Sequence, residues 1–206
     1  MRRCVIVGGA DIKDVENTRS YLRDDDFFIF CDSGLKHMEG LNVKPDLIVG
    51  DFDSHENPGL NVETIVLPCE KDDTDSFFAA KQGLKRGFDE FLLIGVIGQR
   101  IDHTLANISI LLMFDKEHKK AKAVDDYSEL EIVSDETVCV EDKYAFFSLL
   151  NITGTARDIT IKGAKYTLDN GEINVDYQYG VSNEVLPGQT AEITVGVGKL
   201  LLVKVF

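Results

Sequence analysis

The sequence predicts an α/β fold: a mostly parallel, doubly wound sheet with helices on both faces, followed by a smaller all-β antiparallel sandwich or barrel. Two observations predict it. In the first half of the 206 residues, short apolar runs alternate with segments of helical spacing, which indicates parallel strands covered on both faces. The second half lacks such helices and carries short strands with turn signals, as small antiparallel domains do. The period changes between about Ala123 and Asp135.

The predicted strands of the first half are five apolar runs. They are Cys4–Val7, Phe27–Cys31 and residues 47–49, 64–67 and 91–97. Helical spacing is found in residues 14–22, 76–86 and 102–114. Apolar side chains fall on one face of the last helix, at Leu105, Ile108, Leu111 and Leu112. Residues 116–122 are expected to form a charged, exposed connection.

The second half has strand character in five segments. They are residues 129–133, 144–150, 158–161, 192–195 and 200–206. Asp169-Asn170-Gly171 lies between two such runs and fits a tight hairpin turn. The two domains are therefore expected to span residues 1–130 and 131–206, with the boundary inside the segment where the period changes.

The composition argues against several classes of partner. The formal net charge is −14, from 36 acidic and 22 basic residues, and a field of that sign repels nucleic acids and anionic lipid surfaces. No stretch approaches the roughly 20 apolar residues that a membrane span needs. The four cysteines are scattered (Cys4, Cys31, Cys69 and Cys139), which argues against a zinc site or a disulfide framework. We therefore expect a cytoplasmic protein with no nucleic-acid or membrane partner.

Polar and glycine-rich segments follow the predicted parallel strands. They read DSG at residues 32–34, GDFDS at 50–54, KDDTD at 71–75 and GQRIDH at 98–103. In an open parallel sheet, ligands bind beyond the carboxyl ends of the strands, so these segments are expected to meet at one edge. Gly8 and Gly9 follow the first strand, and their backbone N–H groups could receive a phosphate. The Walker A pattern is missing, so a P-loop enzyme is excluded.

Four aspartates in these segments are candidate metal ligands. Asp51 and Asp53 are two residues apart in extended chain and face the same side. Asp72 and Asp75 are three apart at the start of a predicted helix and share a face. Carboxylates about 6 Å apart repel by about 3 kcal/mol per pair, which favours a cation between them. Oxygen ligands select Mg²⁺ or Mn²⁺ over zinc, and Mg²⁺ is usually shared with phosphates of a substrate.

Each of these candidates also has an ordinary structural interpretation. Asp72 and Asp75 could cap a helix, and Asp51 and Asp53 could form a polar turn. Arg100 could neutralise a transferring phosphoryl group or lie on the surface. Asp102 is expected to cap its helix, and His103 is either a phosphate ligand, an acid or base, or a structural residue. The sequence leaves these alternatives open.

Taken together, these motifs resemble those of the thiamine pyrophosphokinase family. The resemblance rests on PDLIVGDFDS at residues 45–54, DDTD at 72–75 and RIDHTLAN at 100–107. It continues in the second half with GAKYTL at residues 163–168 and GVSNE at 180–184, so it covers nearly the whole chain in order. It implies Mg²⁺-dependent, in-line transfer of the diphosphoryl group of ATP to the hydroxyl of thiamine, giving thiamine diphosphate and AMP. It also implies a homodimer in which thiamine lies between the nucleotide domain of one subunit and the β domain of the other.

The resemblance assigns roles to individual residues. Residues 1–130 would bind ATP and Mg²⁺ and carry out catalysis, and residues 131–206 would contribute to the thiamine site. The catalytic set would be Asp51, Asp53, Asp75, Arg100, Asp102 and His103. The metal would be held by Asp51, Asp53, Asp72 and Asp75. The nucleotide would be bound by Asp32, Ser33, Gly34, Asp72, Thr74 and Gly98, and thiamine by Tyr166, Ser182 and Asn183.

Two other functions and several local alternatives stay open. The same acids could serve a Mg²⁺-dependent nucleotide hydrolase, or the fold could be a non-catalytic sensor of thiamine or nucleotide. Tyr166 could be a packing residue of the β domain, and Ser182 and Asn183 could form a turn. Ser33 and Gln99 depart from the family pattern, because smaller residues are usual at both positions.

Overall fold

The computed structural model describes residues 3–52, 59–70 and 72–206. The chain forms two compact units, Met1–Asp126 and Tyr127–Phe206, and this division lies close to the boundary expected after residue 130. Of the predicted site residues, Asp53 lies outside the described residues. Among the helices described, none has the length and apolar character needed to cross a membrane.

The first unit is a parallel sheet with helices. Its described strands are β1 (Cys4–Val7), β2 (Phe27–Cys31), β3 (Leu47–Gly50), β4 (Glu63–Val66), β5 (Glu90–Ile94) and β6 (Lys120–Val124). Its described helices are α1 (Val15–Ser20), α2 (Met38–Leu41), α3 (Asp75–Lys85), α4 (Ile101–Lys116) and a 3-10 helix over Asp32–His37. The strands are ordered β4-β3-β2-β1-β5-β6 and all neighbouring pairs are parallel. The predicted parallel α/β class is confirmed.

The core of this unit explains why its central strands read as continuous apolar runs. Every residue of β1 is buried, and so is every residue of β3, because helices cover both faces of the sheet. Helix α4 adds Ile110, Leu111 and Phe114 to the buried set. The ring of Phe114 stacks on that of Phe91, with 3.9 Å between ring centroids. These contacts tie α4 to the strand after which the candidate site begins.

Two expectations for this unit are wrong. Leu105 does not pack with Leu111, because its side chain is 62% exposed. Apolar residues occupy more than one face of α4, so spacing alone could not select the packed face. Residues 116–122 are not only a connection, since β6 begins at Lys120 and pairs with β5. The lysines in β6 made this segment resemble an exposed connection, although its last two residues, Ala123 and Val124, are buried.

The second unit is an antiparallel sandwich, as the sequence predicts. Its strands are β7 (Ser128–Val133), β8 (Val138–Glu141), β9 (Phe146–Asn151), β10 (Thr155–Lys162), β11 (Leu168–Asn174), β12 (Thr190–Val197) and β13 (Leu200–Val205). One layer is ordered β7-β13-β9 and the other β11-β10-β12-β8. Both layers contribute to one core, through Leu149 and Leu202 of the first and Ile159 and Ile193 of the second. Inward and outward residues alternate along β10 and β12, as expected for two packed sheets.

The predicted hairpin turn at Asp169-Asn170-Gly171 is wrong. These residues lie inside β11, at a point where its register with β10 shifts. Asn170 has a φ of +52°, and a side chain on Gly171 would collide with Leu168, since its Cβ would lie 2.4 Å from Leu168 Cδ2. An asparagine that tolerates the left-handed region, followed by a glycine, suits a bulge as well as a turn.

Candidate active site

The candidate site lies where the strand order of the first unit reverses. β1 is flanked by β2 on one side and by β5 on the other, and such a switch point leaves a crevice at the carboxyl ends of the strands. A cleft of about 290 Å³ opens there. It is lined by Gly9 and Ala10 after β1, by residues 95–96 and 98–100 after β5, and by the first residues of α3 and α4. The predicted convergence of the loops that follow β1, β2 and β5, together with α3, is therefore observed.

Three carboxylates from separate segments meet beside this cleft. Asp32 follows β2, Asp51 follows β3 and Asp75 is the first residue of α3. One carboxylate oxygen of each lies within 4.8 Å of the others. At that separation each pair repels by about 3 kcal/mol in an effective dielectric near 20, so the cluster favours a bound cation. Three carboxylates form a donor set that suits Mg²⁺.

The backbone around Asp32 allows this approach. Gly50 has no side chain, and a Cβ built there would lie 2.5 Å from the Cβ of Asp32. Any other residue at position 50 would therefore push β2 and β3 apart at the carboxylate cluster. The Ser33 N–H donates to Asp32 Oδ1 and fixes the carboxylate. Gly34 is equally constrained, because its Cβ would lie 2.2 Å from the Val7 carbonyl oxygen.

The structure brings a different set of acids together than the sequence predicted for the metal. Asp32, predicted for the nucleotide, belongs to the cluster. Asp72, predicted for the metal, is exposed and does not belong to it. The cap of α3 is Thr74, whose Oγ1 accepts from the Phe77 N–H at 3.2 Å. Asp72 therefore precedes the helix, and the helical spacing on which its pairing with Asp75 depended does not apply.

Two helices point their amino ends at the cleft. Thr74 and Asp75 at the start of α3 line it, as do Arg100 and His103 at the start of α4. A helix amino end carries unsatisfied N–H groups and a partial positive charge, so it attracts phosphate. The expected phosphate role of Gly8 is wrong, because its N–H donates to the Ile94 carbonyl at 2.9 Å.

Arg100 and Asp102 form an exposed pair at the rim. Arg100 Nε donates to Asp102 Oδ1 at 3.0 Å, and a second guanidinium nitrogen donates to Oδ2 at 2.6 Å. These hydrogen bonds, together with one from the His103 backbone, hold the pKa of Asp102 far below its usual range. The same pair raises the pKa of Arg100. The residue at the cap position of α4 is Arg100, and no side chain caps the helix, so the expectation that Asp102 is the cap is wrong. Its carboxylate instead orients the Arg100 guanidinium.

The residues predicted for thiamine lie together in the second unit. Tyr166 is 62% exposed, so it is not a core residue. Asn183 is buried, and both ends of its side-chain amide bond the Tyr166 backbone: Nδ2 donates to the Tyr166 carbonyl at 2.7 Å, and Oδ1 accepts the Tyr166 N–H at 3.0 Å. Ser182 is exposed with a φ of +58°, and its N–H donates to Ser148 Oγ at 3.0 Å. This geometry indicates that Asn183 fixes the position of the Tyr166 backbone.

Sequence reasoning missed two further residues that line the cleft. Thr104 and Asn107 both lie on α4, inside the RIDHTLAN motif, and both hydrogen-bond the loop after β5. Their polar character on the cleft side of a helix with a long apolar run was the available signal. Their partners lie six and eleven residues away, and the sequence alone does not show such pairings.

Comparison with known proteins agrees with this arrangement. Residues 18–123 match the family model "Thiamin pyrophosphokinase, catalytic domain", and residues 131–200 match "Thiamin pyrophosphokinase, vitamin B1 binding domain". A thiamine pyrophosphokinase of Bacillus subtilis (strain 168) is 25% identical over 194 residues, which cover 90% of this chain and 91% of that protein.

Solved structures share the fold over the whole chain. A thiamine pyrophosphokinase from Bacillus subtilis superimposes with a TM-score of 0.85 at 23% identity, covering 100% of this chain and 99% of the other. One from Geobacillus thermodenitrificans gives a TM-score of 0.85 at 23% identity, covering 100% and 98%. The yeast enzyme gives 0.78 at 14% identity, covering 100% and 86%. The predicted fold class is confirmed, and with the two family models matched in order, the chain belongs to the thiamin pyrophosphokinase family.

Proposed function

We propose that the protein is a thiamine pyrophosphokinase, which transfers the diphosphoryl group of ATP to the hydroxyl of thiamine and releases AMP. The observation that carries this proposal is the three-carboxylate cluster of Asp32, Asp51 and Asp75 beside a cleft where two helices begin. The match of residues 131–200 to a vitamin B1 binding domain favours thiamine over water as the acceptor. It thereby favours transfer over nucleotide hydrolysis.

The carboxylate cluster fits Mg²⁺, and Asp32, Asp51 and Asp75 would hold it. The cluster offers only carboxylate oxygens among the residues that the structure describes, which suits a hard cation. When bound, Mg²⁺ neutralises charge on the phosphates of the nucleotide. Asp53 and Asp72 remain predicted members of this site, Asp53 because it lies outside the described residues.

The chain's own groups are arranged for alignment and charge neutralisation. The amino ends of α3 and α4 are proposed to bind the triphosphate, and Arg100, oriented by Asp102, to contact its outer phosphates. The thiamine oxygen attacks the β-phosphorus in line, and the bond to the oxygen of the α-phosphate breaks, so AMP leaves. The hydroxyl proton passes to a base at the rim, for which His103 is our candidate because it lines the cleft.

The thiamine site is proposed to use the second unit. The exposed ring of Tyr166 can face the rings of thiamine, whose thiazolium is positively charged. Ser182 is exposed, and its backbone N–H is hydrogen-bonded to Ser148; its side chain is proposed to make a polar contact with thiamine. Asn183 is proposed to act by holding Tyr166. We also place the enzyme in the cytoplasm, a reducing compartment that is compatible with exposed thiols at Cys69 and Cys139.

A product assay tests the proposed reaction. Incubation with ATP, Mg²⁺ and thiamine is expected to give AMP and thiamine diphosphate in equal amounts, measured by ion-exchange chromatography. Samples lacking thiamine or containing EDTA serve as controls and are expected to give neither product. Formation of ADP, or phosphate release without thiamine, would contradict the proposal.

We also propose that the protein is a homodimer that uses the exposed face of α4. Ile101 and Leu105 are 69% and 62% exposed, and Ile108 and Leu112 continue the same row partly buried. Steps of four, three and four residues form the apolar seam along which two helices pack. A second copy of the chain presents the same seam, so the two α4 helices can pack against each other about a twofold axis.

The double substitution Ile101→Lys and Leu105→Lys is expected to convert the dimer to a monomer, because it places four like charges in the twofold contact. Light scattering coupled to gel filtration measures the mass. The matched control is Val66→Lys, which charges a residue 64% exposed on another element and is expected to leave the dimer intact. A monomeric wild type, or a dimer that persists in the double variant, would remove α4 from the interface.

A further inference from the structure

We propose that Thr104 and Asn107 are positioning residues that hold residues 96–98, the wall of the cleft after β5, in register with the amino end of α4. This inference rests on the proposed function, because the wall matters through the phosphates that the cleft receives. Neither residue belongs to the carboxylate cluster of Asp32, Asp51 and Asp75. Their effect would be exerted through the backbone that they hold.

The wall needs to be held because it leaves the sheet abruptly. β5 ends at Ile94, and Gly95 has a φ of +62°, so the chain turns away from the strand direction at once. Gly98 then comes so close to the loop after β1 that a Cβ built on it would lie 2.8 Å from the Cβ of Ala10. Gly95 and Ala10 are also joined directly, since the Ala10 N–H donates to the Gly95 carbonyl at 2.8 Å. The loop after β1 and the loop after β5, which both line the cleft, are therefore packed directly against each other.

Thr104 holds the far end of this wall with a single hydroxyl. The Gly98 N–H donates to Thr104 Oγ1 at 3.2 Å, and the same hydroxyl donates to the Gly98 carbonyl at 3.3 Å. Both backbone groups of one residue are thus engaged by one side-chain atom. The Gly98 N–H is consequently directed to Thr104 and away from a ligand, which makes Gly98 a wall residue whose position is set by α4.

Asn107 holds the near end. Its Nδ2 donates to the Val96 carbonyl at 2.7 Å, and the side chain is buried at 8% exposure. Thr104 and Asn107 are three residues apart on a helix, so they face the same side. The backbone of α4 continues rigidly from these residues to the amino end that lines the cleft. Wall and helix end are therefore fixed to each other at two points.

The link between residues 96–98 and α4 matters for the transfer reaction because it keeps the groups that line the cleft aligned with the phosphates. Phosphoryl transfer depends mainly on positioning and charge neutralisation, and a misplacement of about 1 Å can cost on the order of a hundredfold in rate. A wall freed from α4 would still form a cleft but would present its backbone in several positions. We expect the transition state to lose more stabilisation than the bound nucleotide does, because only the former requires in-line geometry.

Thr104→Val removes the hydroxyl while keeping the shape of the side chain, and Thr104→Ser restores the hydroxyl. We expect Thr104→Val to lower kcat by about 10- to 100-fold with the KM for ATP changed less than about threefold, and Thr104→Ser to stay within about threefold of wild type. Asn107→Asp keeps the shape but sets a carboxylate oxygen against the Val96 carbonyl, so it is expected to lower kcat similarly. Ser109→Ala, which removes an exposed hydroxyl bonded only to α4 itself, is the matched control and is expected to leave kcat unchanged.

Hydrogen exchange of the Gly98 amide provides a readout that does not depend on activity. Measured by NMR on the complete protein, this amide is expected to exchange at least about tenfold faster in Thr104→Val than in wild type, and to be protected again in Thr104→Ser. Unchanged exchange in Thr104→Val would overturn the proposal, as would faster exchange with normal kcat. A raised KM with normal kcat would show direct contact with ATP and would overturn it too. Absence of thiamine diphosphate from the wild-type reaction would instead contradict the proposed function, while the amide still reports whether Thr104 holds the wall.

Discussion

Asp32→Asn and Asp51→Asn are each expected to lower kcat for thiamine diphosphate formation by about a thousandfold or more. Each substitution removes one negative charge and one hard oxygen ligand from the carboxylate cluster. A thousandfold loss corresponds to about 4 kcal/mol of transition-state stabilisation, which is in the range of a single strong electrostatic contact in a dry site. Steady-state kinetics over a wide range of Mg²⁺ concentration measures the loss and any weakening of metal binding.

The folded state is expected to respond in the opposite direction. The three carboxylates repel one another at separations within 4.8 Å, so neutralising one relieves about 3 kcal/mol per pair in an effective dielectric near 20. Both variants should therefore unfold at the same temperature as wild type, or higher, when Mg²⁺ is absent. Activity and stability that fall together would indicate a disrupted fold and would argue against a metal cluster.

Two further aspartates make this experiment specific. Asp24→Asn is the matched control, because Asp24 is exposed and precedes β2, whereas Asp32 follows it. It is expected to keep kcat within about twofold of wild type. Asp72→Asn discriminates between the ligand set predicted from the sequence and the cluster found in the structure. A loss as large as that of Asp51→Asn would assign Asp72 to the proposed metal site, and near-normal turnover in Asp32→Asn would remove Asp32 from it.

The difference between Asp32 and Asp72 shows what the ends of the predicted strands can and cannot predict about the site. Apolar runs located the carboxyl ends of the strands, and since parallel strands end at the same edge, they identified the segments that meet. They could not say which side chain of a segment turns inward. The predicted pairing of Asp72 with Asp75 requires both residues to be helical, but the helix begins at Asp75 with Thr74 as its cap. Asp32 joins the cluster because Gly50 leaves room for it, which is a relation between two strands.

Other differences have the same origin. Asn170 adopts the left-handed conformation in a bulge of β11, and residue type cannot separate a bulge from a turn. The exposed row of α4 resembled a packing face because the helix is apolar on more than one side. Asn183 reads as a turn residue, yet its amide is buried against the backbone of Tyr166. Local patterns define elements, whereas tertiary contacts decide which of their side chains bind, hold or pack.

A buried charge cluster in the second unit leads to the largest expected effect on stability. Lys204 on β13 lies opposite Glu129 on β7, and both side chains are almost completely buried. Lys204 Nζ donates to Glu129 and, at 2.6 Å, to Glu131, while Tyr144 Oη donates to Glu129 at 3.2 Å. Removing one partner of a buried ion pair leaves the other charge uncompensated, which costs about 3–5 kcal/mol.

Lys204→Met is therefore expected to lower the free energy of unfolding by about 3–5 kcal/mol, as measured by urea denaturation followed by circular dichroism. The double variant Lys204→Met with Glu129→Leu should recover most of this loss, because it removes the more deeply buried of the two carboxylates that the single variant leaves behind. Lys143→Met is the matched control: its ion pair with Glu141 is exposed on both sides, so the expected change is below about 1 kcal/mol. A small loss in Lys204→Met, or no recovery in the double variant, would mean that the lysine contributes by packing its stem and that its charge is not needed to compensate Glu129.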